Sequence, residues 1–308
     1  IVEAGSMVNR LYYDPDPKNK AKVEVGSLVS GDSHVTCGRC YQCRLGEGEV
    51  CINEAILGIS IDGIFAEYVK VPAKNLWPVD TTRVRPEIAA IYDPFGNAVH
   101  SATAVDLRGQ RVAIFGCGPV GLFSILLAKN FGAAKVIAVD INPENLRIAK
   151  ELGAHETIQI EKKQKVNEWD SDPEVIARIM ELTYGKGVDV SMEMAGPFSS
   201  VNNCIDATRR GGNVVFFGIK DGDLVIPKFS RVVVRGLTIH NIIGRQIFRT
   251  WQIAQRVLQD KTNGIQDAIW KTILKEGKGT LLDFKSFTPE SFEKAMNENP
   301  KILFKIHG

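Results

Sequence analysis

Residues 111–140 read RVAIFGCGPVGLFSILLAKNFGAAKVIAVD, and this stretch decides the fold of the chain. An apolar run, Val112 to Phe115, leads into a glycine-rich turn at 116–121 and then into an Ala- and Leu-rich segment of helical character. A second apolar run ends on Asp140, nineteen positions beyond the last glycine of the turn and close to the spacing of about 20 in dinucleotide-binding units. The pattern predicts a strand, a tight turn, a helix and a second strand.

Each glycine of the turn has a separate role in this prediction. Gly116 allows the sharp bend, Gly118 lets a pyrophosphate approach the backbone, and Gly121 lets the helix pack closely on the strand. The free N–H groups at the start of the helix would bind the phosphates. Asp140 would accept hydrogen bonds from the adenosine ribose, and its charge would repel a 2′-phosphate. The sequence therefore predicts NAD rather than NADP as the cofactor.

Composition places the chain among ordinary globular proteins. It has 308 residues, of which 44% are hydrophobic and 24% charged, and this length is enough for two domains. The net charge of +2 predicts no bulk attraction to nucleic acid or to a membrane. Apolar stretches are broken well before the roughly 20 residues that a membrane span needs, and residues 1–6 show no signal-peptide pattern. We expect a cytoplasmic protein, and because the first Met is Met7, a fragment or a trimmed chain.

Four of the six cysteines lie close together, at Cys37, Cys40, Cys43 and Cys51. The spacing Cys-x2-Cys-x2-Cys-x7-Cys lets four thiolates converge on one tetrahedral Zn²⁺ with no open coordination position. Such a site would hold a loop in place and carry out no chemistry. The alternatives are an iron–sulfur cluster, whose usual cysteine spacings differ from these, and free thiols.

The remaining sequence predicts a small β-rich domain followed by alternating strands and helices. Strand-like segments occur at 1–5, 23–29 and 57–78, before a domain junction near residues 88–100. Beyond Asp140, helices are predicted at 142–152, 172–183, 197–210, 251–261 and 289–297. Strands are predicted at 156–160, 188–192, 213–218, 237–243 and 302–306. The alternation through residue 243 predicts a doubly wound α/β fold with a parallel sheet of six strands that begins at Val112. The helices at 251–261 and 289–297 and the strand at 302–306 belong to the tail, which could return to the first domain.

Several segments together resemble the zinc-dependent medium-chain dehydrogenases. The matching segments are GDSHVTCGRCYQC, DGIFAEYVKVPA, AAIYDPFGNAVH, FGCGPVG and IIGRQIFRTW, within residues 1–258. Two of them, DPFGNAVH and the segment at 244–251, are most similar to the threonine-oxidising branch of that family. The resemblance weakens over the last fifty residues.

The resemblance implies the domains, the cofactors and the site residues. It implies a partial GroES-like β-rich catalytic domain at 1–92, a Rossmann domain at 93–245, a linking helix and tail at 246–308, a structural zinc on the four cysteines, and a homotetramer. Asp93 falls where the family has an acidic residue close to a catalytic zinc, and His34 matches a histidine near the substrate pocket. The implied NAD-binding residues are Gly116, Gly118, Val120, Gly121, Asp140, Phe217, Gly218, Ile219, Ile242 and Ile243.

The implied function is the NAD-dependent oxidation of a secondary alcohol, with L-threonine giving 2-amino-3-oxobutyrate. Two alternatives are a sorbitol-type polyol dehydrogenase and a catalytically silent fragment that binds NAD and zinc; a zinc-free reductase of the same fold is disfavoured by the cysteine cluster. The family's Cys-Gly-Thr-Asp-x-His and Gly-His-Glu segments, which hold the catalytic zinc, do not occur in these 308 residues. Residues 12–22 resemble an insertion into a family turn.

Overall fold

The computed structural model describes residues 1–8, 22–161 and 167–306. These residues form two compact units, one that combines 1–96 with 245–308 and one that comprises 97–244. The predicted insertion at 12–22 lies outside the described residues except for Lys22. Within the described ranges, no helix has both the length and the apolar character needed to cross a membrane.

The strands and helices are numbered in chain order. The strands are β1 Val29–Gly31, β2 His34–Val35, β3 Ala55–Ile56, β4 Leu76–Pro78, β5 Arg111–Phe115, β6 Lys135–Asp140, β7 Glu156–Gln159, β8 Val188–Glu193, β9 Thr208–Phe216, β10 Thr238–Asn241, β11 Leu281–Asp283 and β12 Leu303–Lys305. The helices are α1 Tyr41–Leu45, α2 Pro86–Ala89, α3 Tyr92–Thr103, α4 Pro119–Asn130, α5 Pro143–Glu151, α6 Pro173–Leu182, α7 Phe198–Ala207, α8 Ser230–Val234, α9 Arg249–Gln259, α10 Ile265–Ala268 and α11 Pro289–Glu298.

The second unit is a doubly wound parallel sheet. In its described residues six strands pair in the order β10-β9-β8-β5-β6-β7, and every pairing is parallel. Residues 112–115 and 136–139 are buried, as expected for parallel strands covered on both faces. The order reverses between β5 and β8, which makes this the point where such sheets bind ligands. The predicted α/β Rossmann fold with six strands is confirmed.

One boundary in this unit differs from the prediction. The sequence predicted a helix through residue 210 that Gly211 and Gly212 would stop, but α7 ends at Ala207 and β9 begins at Thr208. The Thr208 hydroxyl donates to the carbonyl of Cys204 and lies 2.8 Å from the Ser191 hydroxyl, and Thr208 pairs with Val188 in the sheet. A β-branched residue that pairs with a neighbouring strand therefore ends the helix earlier than the glycines would.

The first unit has shorter and less regular elements than the sequence predicted. Among its described residues β1 pairs with β4 and β2 with β3, both antiparallel, and β11 pairs with β12. The strand predicted at 1–5 is absent, and of the strand predicted at 23–29 only Val29 lies in a strand, as the first residue of β1. Residues 58–72 contain only a single bridge, between Leu57 and Ile61. A Cβ on Gly63 would lie 2.9 Å from the Cα of Gly58, so the chain here turns back on itself where an extended pair was expected.

Candidate functional sites

The glycine turn of the second unit has the space that a dinucleotide phosphate needs. Gly116 follows β5 with a φ of 95°, and a Cβ on Gly121 would overlap the carbonyl oxygen of Gly116, which shows how closely α4 approaches the strand. Among the residues that the structure describes, and apart from the two chain neighbours of Gly118, no atom lies within 4 Å of the position that a Cβ on Gly118 would occupy. The backbone at Gly118 is therefore open to a ligand, whereas that at Gly121 is closed by packing.

The start of α4 supplies donors to this open space. Gly118 is the residue before the helix, and no side chain caps the first N–H groups, which leaves them for an anion. Pro119 at the first helical position lacks an N–H and fits the fixed backbone angle there. The residues present thus fit the pyrophosphate of a dinucleotide.

Asp140 ends β6 beside the turn, as the sequence predicted, and its carboxylate is already engaged. One oxygen accepts the N–H of Cys117 at 2.5 Å and the other that of Asn142 at 2.7 Å, and the residue is 9% exposed. Burial, with the charge of Asp140, raises the pKa of the Cys117 thiol well above its usual range. Asp140 therefore fixes the turn and the end of β6, besides any hydrogen bond that it makes to a ribose.

The other predicted cofactor residues follow the ends of neighbouring strands. Val120 lies in the first turn of α4, residues 217–219 follow β9, and residues 242–243 follow β10. Because all these strands are parallel, their carboxyl ends lie along one edge of the sheet. Ile219 is 79% exposed and Ile243 is 44% exposed, so large apolar side chains face solvent at this edge.

The cysteine cluster of the first unit has the geometry of a metal site. The four sulfur atoms of Cys37, Cys40, Cys43 and Cys51 all lie within 4.8 Å of one another, and those of Cys40 and Cys51 are 3.8 Å apart. Zn–S bonds of about 2.3 Å in a tetrahedron place the sulfur atoms about 3.8 Å apart. All four cysteines are free thiols, and α1 carries Cys43 back toward the others. The donor set fits a structural Zn²⁺.

The surroundings of the cysteines favour the thiolate form of Cys37 and disfavour that of Cys43. Backbone N–H groups of Arg39 and Cys40 lower the pKa of Cys37 to about 6, so its thiolate forms readily. Burial raises the pKa of Cys43 to about 12, which a bound cation would oppose.

Asp93 lies in the first turn of α3, within a charged cluster that the sequence did not predict. Arg245 Nη2 is 2.7 Å from Asp93 Oδ2, 2.6 Å from Asp32 Oδ1 and 2.9 Å from the Ser33 hydroxyl. The side chains of Asp32 and Arg245 are 0% and 3% exposed, whereas that of Asp93 is 30% exposed. Arg245 therefore pairs with a fully buried carboxylate, that of Asp32, and with a partly exposed one, that of Asp93.

Burial perturbs the charges in this cluster. It raises the pKa of Asp32, although Arg245 opposes that change, and it lowers the pKa of Lys301, which the charge of Asp93 opposes. Arg245 is one positive charge shared by two carboxylates, so the cluster has excess negative charge, and the charge of Lys301 near Asp93 offsets part of it.

His34 joins the same cluster through its backbone. Its N–H donates to Asp32 Oδ1 at 2.8 Å, and its Nδ1 lies 2.7 Å from Glu54 Oε2. The side chains of His34 and Glu54 are 15% and 25% exposed. The structure thus links both predicted catalytic residues through Asp32. Sequence reasoning missed Asp32, Glu54 and Arg245. The signal for two of them was that Asp32 lies in the matching segment at 31–43 and Arg245 in the segment at 244–251.

Together these features define a dinucleotide-binding α/β fold joined to a small lobe that can hold zinc. Comparison with known proteins agrees with this class. The sequence profile "Zinc-binding dehydrogenase" matches residues 119–260, and "Alcohol dehydrogenase GroES-like domain" matches residues 15–81.

Two curated relatives, each named L-threonine 3-dehydrogenase, are similar over most of the chain. That of Bacillus subtilis is 40% identical over 78% of this chain and 66% of its own length, and that of Bacillus licheniformis is 36% identical over 82% and 70%. The solved structure of an alcohol dehydrogenase from Thermus sp. ATN1 superposes with a TM-score of 0.77 at 25% identity, covering 92% of this chain and 78% of the other. The chain belongs to the zinc-dependent medium-chain dehydrogenases, a family of oxidoreductases. It spans about two thirds of the length of the curated relatives.

Proposed function

We propose that this chain binds NAD and takes part in oxidising the secondary alcohol of L-threonine to 2-amino-3-oxobutyrate. The observation that carries the proposal is the open backbone at Gly118 beside an uncapped helix start, on a chain whose relatives are named for this activity. The NAD-binding residues would be those of the glycine turn with Asp140 and residues 217–219 and 242–243.

In this proposal NAD supplies the acceptor for the hydride that leaves the alcohol carbon. The protein must then accept the hydroxyl proton, and in this proposal Asp93 is the carboxylate that does so. Arg245 and the N–H of Ser33 both contact its Oδ2, so Oδ1 is the oxygen that would take the proton. His34, fixed by Glu54, would orient the substrate.

The described residues hold one cluster of three or more metal-ligating side chains, the four cysteines. Among the described residues, no second cluster of this kind could hold a catalytic zinc. This observation favours a second candidate, in which the chain binds NAD and zinc without turnover. The homotetramer and the cytoplasmic location stay predictions from the sequence.

Metal analysis and kinetics separate the candidates. The purified chain is measured for zinc content, for NAD binding by calorimetry, and for turnover of L-threonine, sorbitol and a simple secondary alcohol. About one zinc per chain with NAD binding and no turnover supports the silent candidate, whereas preferred turnover of L-threonine by kcat/KM supports the proposal. Preference for sorbitol would replace the proposal with the polyol alternative.

Two variants test the residues assigned to this function. Asp93→Asn should lower kcat by about 10²-fold or more with NAD affinity unchanged, because it removes the proton acceptor. Asp106→Asn, at an exposed pair with Arg108, is the control and should leave kcat unchanged. Asp140→Ala should weaken the preference for NAD over NADP, and an unchanged preference would remove Asp140 from its proposed role.

A further inference from the structure

We propose that Glu193 is a positioning residue of the cofactor site, which holds the loops after β8 and β9 where the nicotinamide half of NAD binds. The proposal rests on the proposed function, since it takes NAD as the ligand. Glu193 is the last residue of β8, next to the reversal of strand order, and pairs in register with Phe115 at the end of β5.

The carboxylate of Glu193 holds the loop that follows β8. Its Oε1 accepts the backbone N–H groups of Ala195 at 2.9 Å and of Gly196 at 2.8 Å. The residue is 0% exposed, so these hydrogen bonds form out of water, where they are strong. The path of residues 194–197 therefore depends on one buried side chain.

The backbone carbonyl of the same residue holds the loop that follows β9. It accepts the N–H groups of Phe217 at 3.0 Å and of Gly218 at 3.2 Å. A Cβ on Gly218 would overlap the Glu193 carboxylate and the nitrogen of Gly196, so the two loops pack directly against each other. Glu193 thus joins two loops, of which the second contains the predicted cofactor residues 217–219.

The second carboxylate oxygen of Glu193 does not stabilise the fold. Oε2 is buried and has no hydrogen-bond partner among the described residues. A buried acceptor without a hydrogen-bond partner destabilises the folded state, because it has lost its contacts with water. A buried carboxylate with one unpaired oxygen, at the ligand-binding edge of the sheet, points to a role in the placement of the cofactor loops.

The two halves of NAD provide a test that separates positioning from general stability. The glycine turn and Asp140 would bind the adenosine and phosphate part, which ADP-ribose also contains. Residues 217–219 follow β9, which lies on the opposite side of β5 from β6 and Asp140. A dinucleotide that crosses the sheet edge at this reversal would therefore place its nicotinamide end, which ADP-ribose lacks, at residues 217–219. Loss of Glu193 should therefore weaken NAD binding and spare ADP-ribose.

The experiment measures the affinities for NAD and ADP-ribose by calorimetry, for the native chain and its variants. Thermal unfolding of the same proteins shows whether each variant is folded. Glu193→Ala should raise the Kd for NAD roughly tenfold and leave that for ADP-ribose within about twofold. Glu193→Gln keeps an acceptor for both N–H groups, so its NAD affinity should stay within about threefold of the native value. The matched control is Ser191→Ala. Ser191 lies in β8 with Glu193, and its loss removes a buried hydrogen bond with Thr208. This variant should not change the ratio of the NAD and ADP-ribose affinities.

Two results would overturn the inference: an unchanged ratio of the NAD and ADP-ribose affinities in Glu193→Ala, whether or not both affinities fall, and no recovery of NAD binding in Glu193→Gln. If Glu193→Ala does not fold, Glu193→Asp replaces it, because the shorter carboxylate cannot reach both N–H groups and should also weaken NAD selectively. A native chain that binds neither ligand would instead contradict the proposed function.

Discussion

The glycine turn of the second unit and the Asp32–Arg245–Asp93 cluster of the first are built in opposite ways. The turn is made of backbone atoms from consecutive residues, 116–121, and depends on the absence of side chains. The cluster is made of side chains that are far apart in sequence, Arg245 lying 213 residues from Asp32. A backbone site should therefore fail when atoms are added, and a side-chain site when a charge is removed.

The largest effect is expected from an added methyl group at Gly121. In Gly121→Ala the new Cβ overlaps the carbonyl oxygen of Gly116, and because both are backbone-anchored, α4 must move off the sheet. We expect the free energy of unfolding to fall by about 4 kcal/mol or more, measured by urea denaturation.

Gly118→Ala is the matched variant, because its Cβ has no neighbour within 4 Å. It should change the free energy of unfolding by less than about 1 kcal/mol while weakening NAD binding at least tenfold, since the methyl group fills the space left for the phosphate. Strong NAD binding by Gly118→Ala would contradict the role given to the open backbone.

The next effect comes from removing the cation of the charged cluster. Arg245→Met leaves Asp32 buried without its partner and should lower the free energy of unfolding by about 3–5 kcal/mol. Arg83→Met is the control, because Arg83 is 62% exposed and lies 3.7 Å from Asp80, and it should cost less than about 0.5 kcal/mol. Equal effects of the two substitutions in denaturation would show that burial does not set the strength of the Arg245 pair.

The same contrast explains how much could be predicted from the sequence. The turn, its helix and Asp140 were predictable because their residues are contiguous and their spacing has a steric cause. The cysteines were predictable because one short segment holds all four. Asp32 and Arg245 were not, because no local pattern shows that two distant charges will meet in the interior.

The strands of the second unit could be predicted from the sequence, whereas most of those in the first unit could not. The parallel strands of the second unit are buried on both faces, so their apolar runs were recognisable, and β5 to β8 lie where they were predicted. In the first unit the strands have two or three residues, too few for an alternating pattern to be read. Residues 58–72 alternate in polarity yet form no strand.

The smallest effect is expected at Asp189, a carboxylate of the second unit that is paired but less buried than Asp32. Arg111 Nε lies 2.9 Å from one of its oxygens and Arg209 Nε 2.5 Å from the other, and the Asp189 side chain is 13% exposed. Burial raises its pKa, but the hydrogen bonds from both arginines outweigh burial and hold the pKa well below its usual range. The ionised form therefore stabilises the folded state.

Because the pKa of Asp189 is lower in the folded than in the unfolded chain, its contribution is complete above the unfolded value of about 4 and is lost as the pH falls below it. We expect Asp189→Asn to lower the free energy of unfolding by about 1–3 kcal/mol at pH 7, with the difference from the native chain shrinking between about pH 5 and pH 2. Denaturation curves across this range check the prediction. Asp106→Asn is the comparison: Arg108 also lowers the pKa of Asp106, but that pair is exposed and screened by water, so its pH-dependent difference should be much smaller. A difference that stays constant down to about pH 2 would mean that Asp189 acts through packing, and its charge would then have no part in holding Arg111 and Arg209.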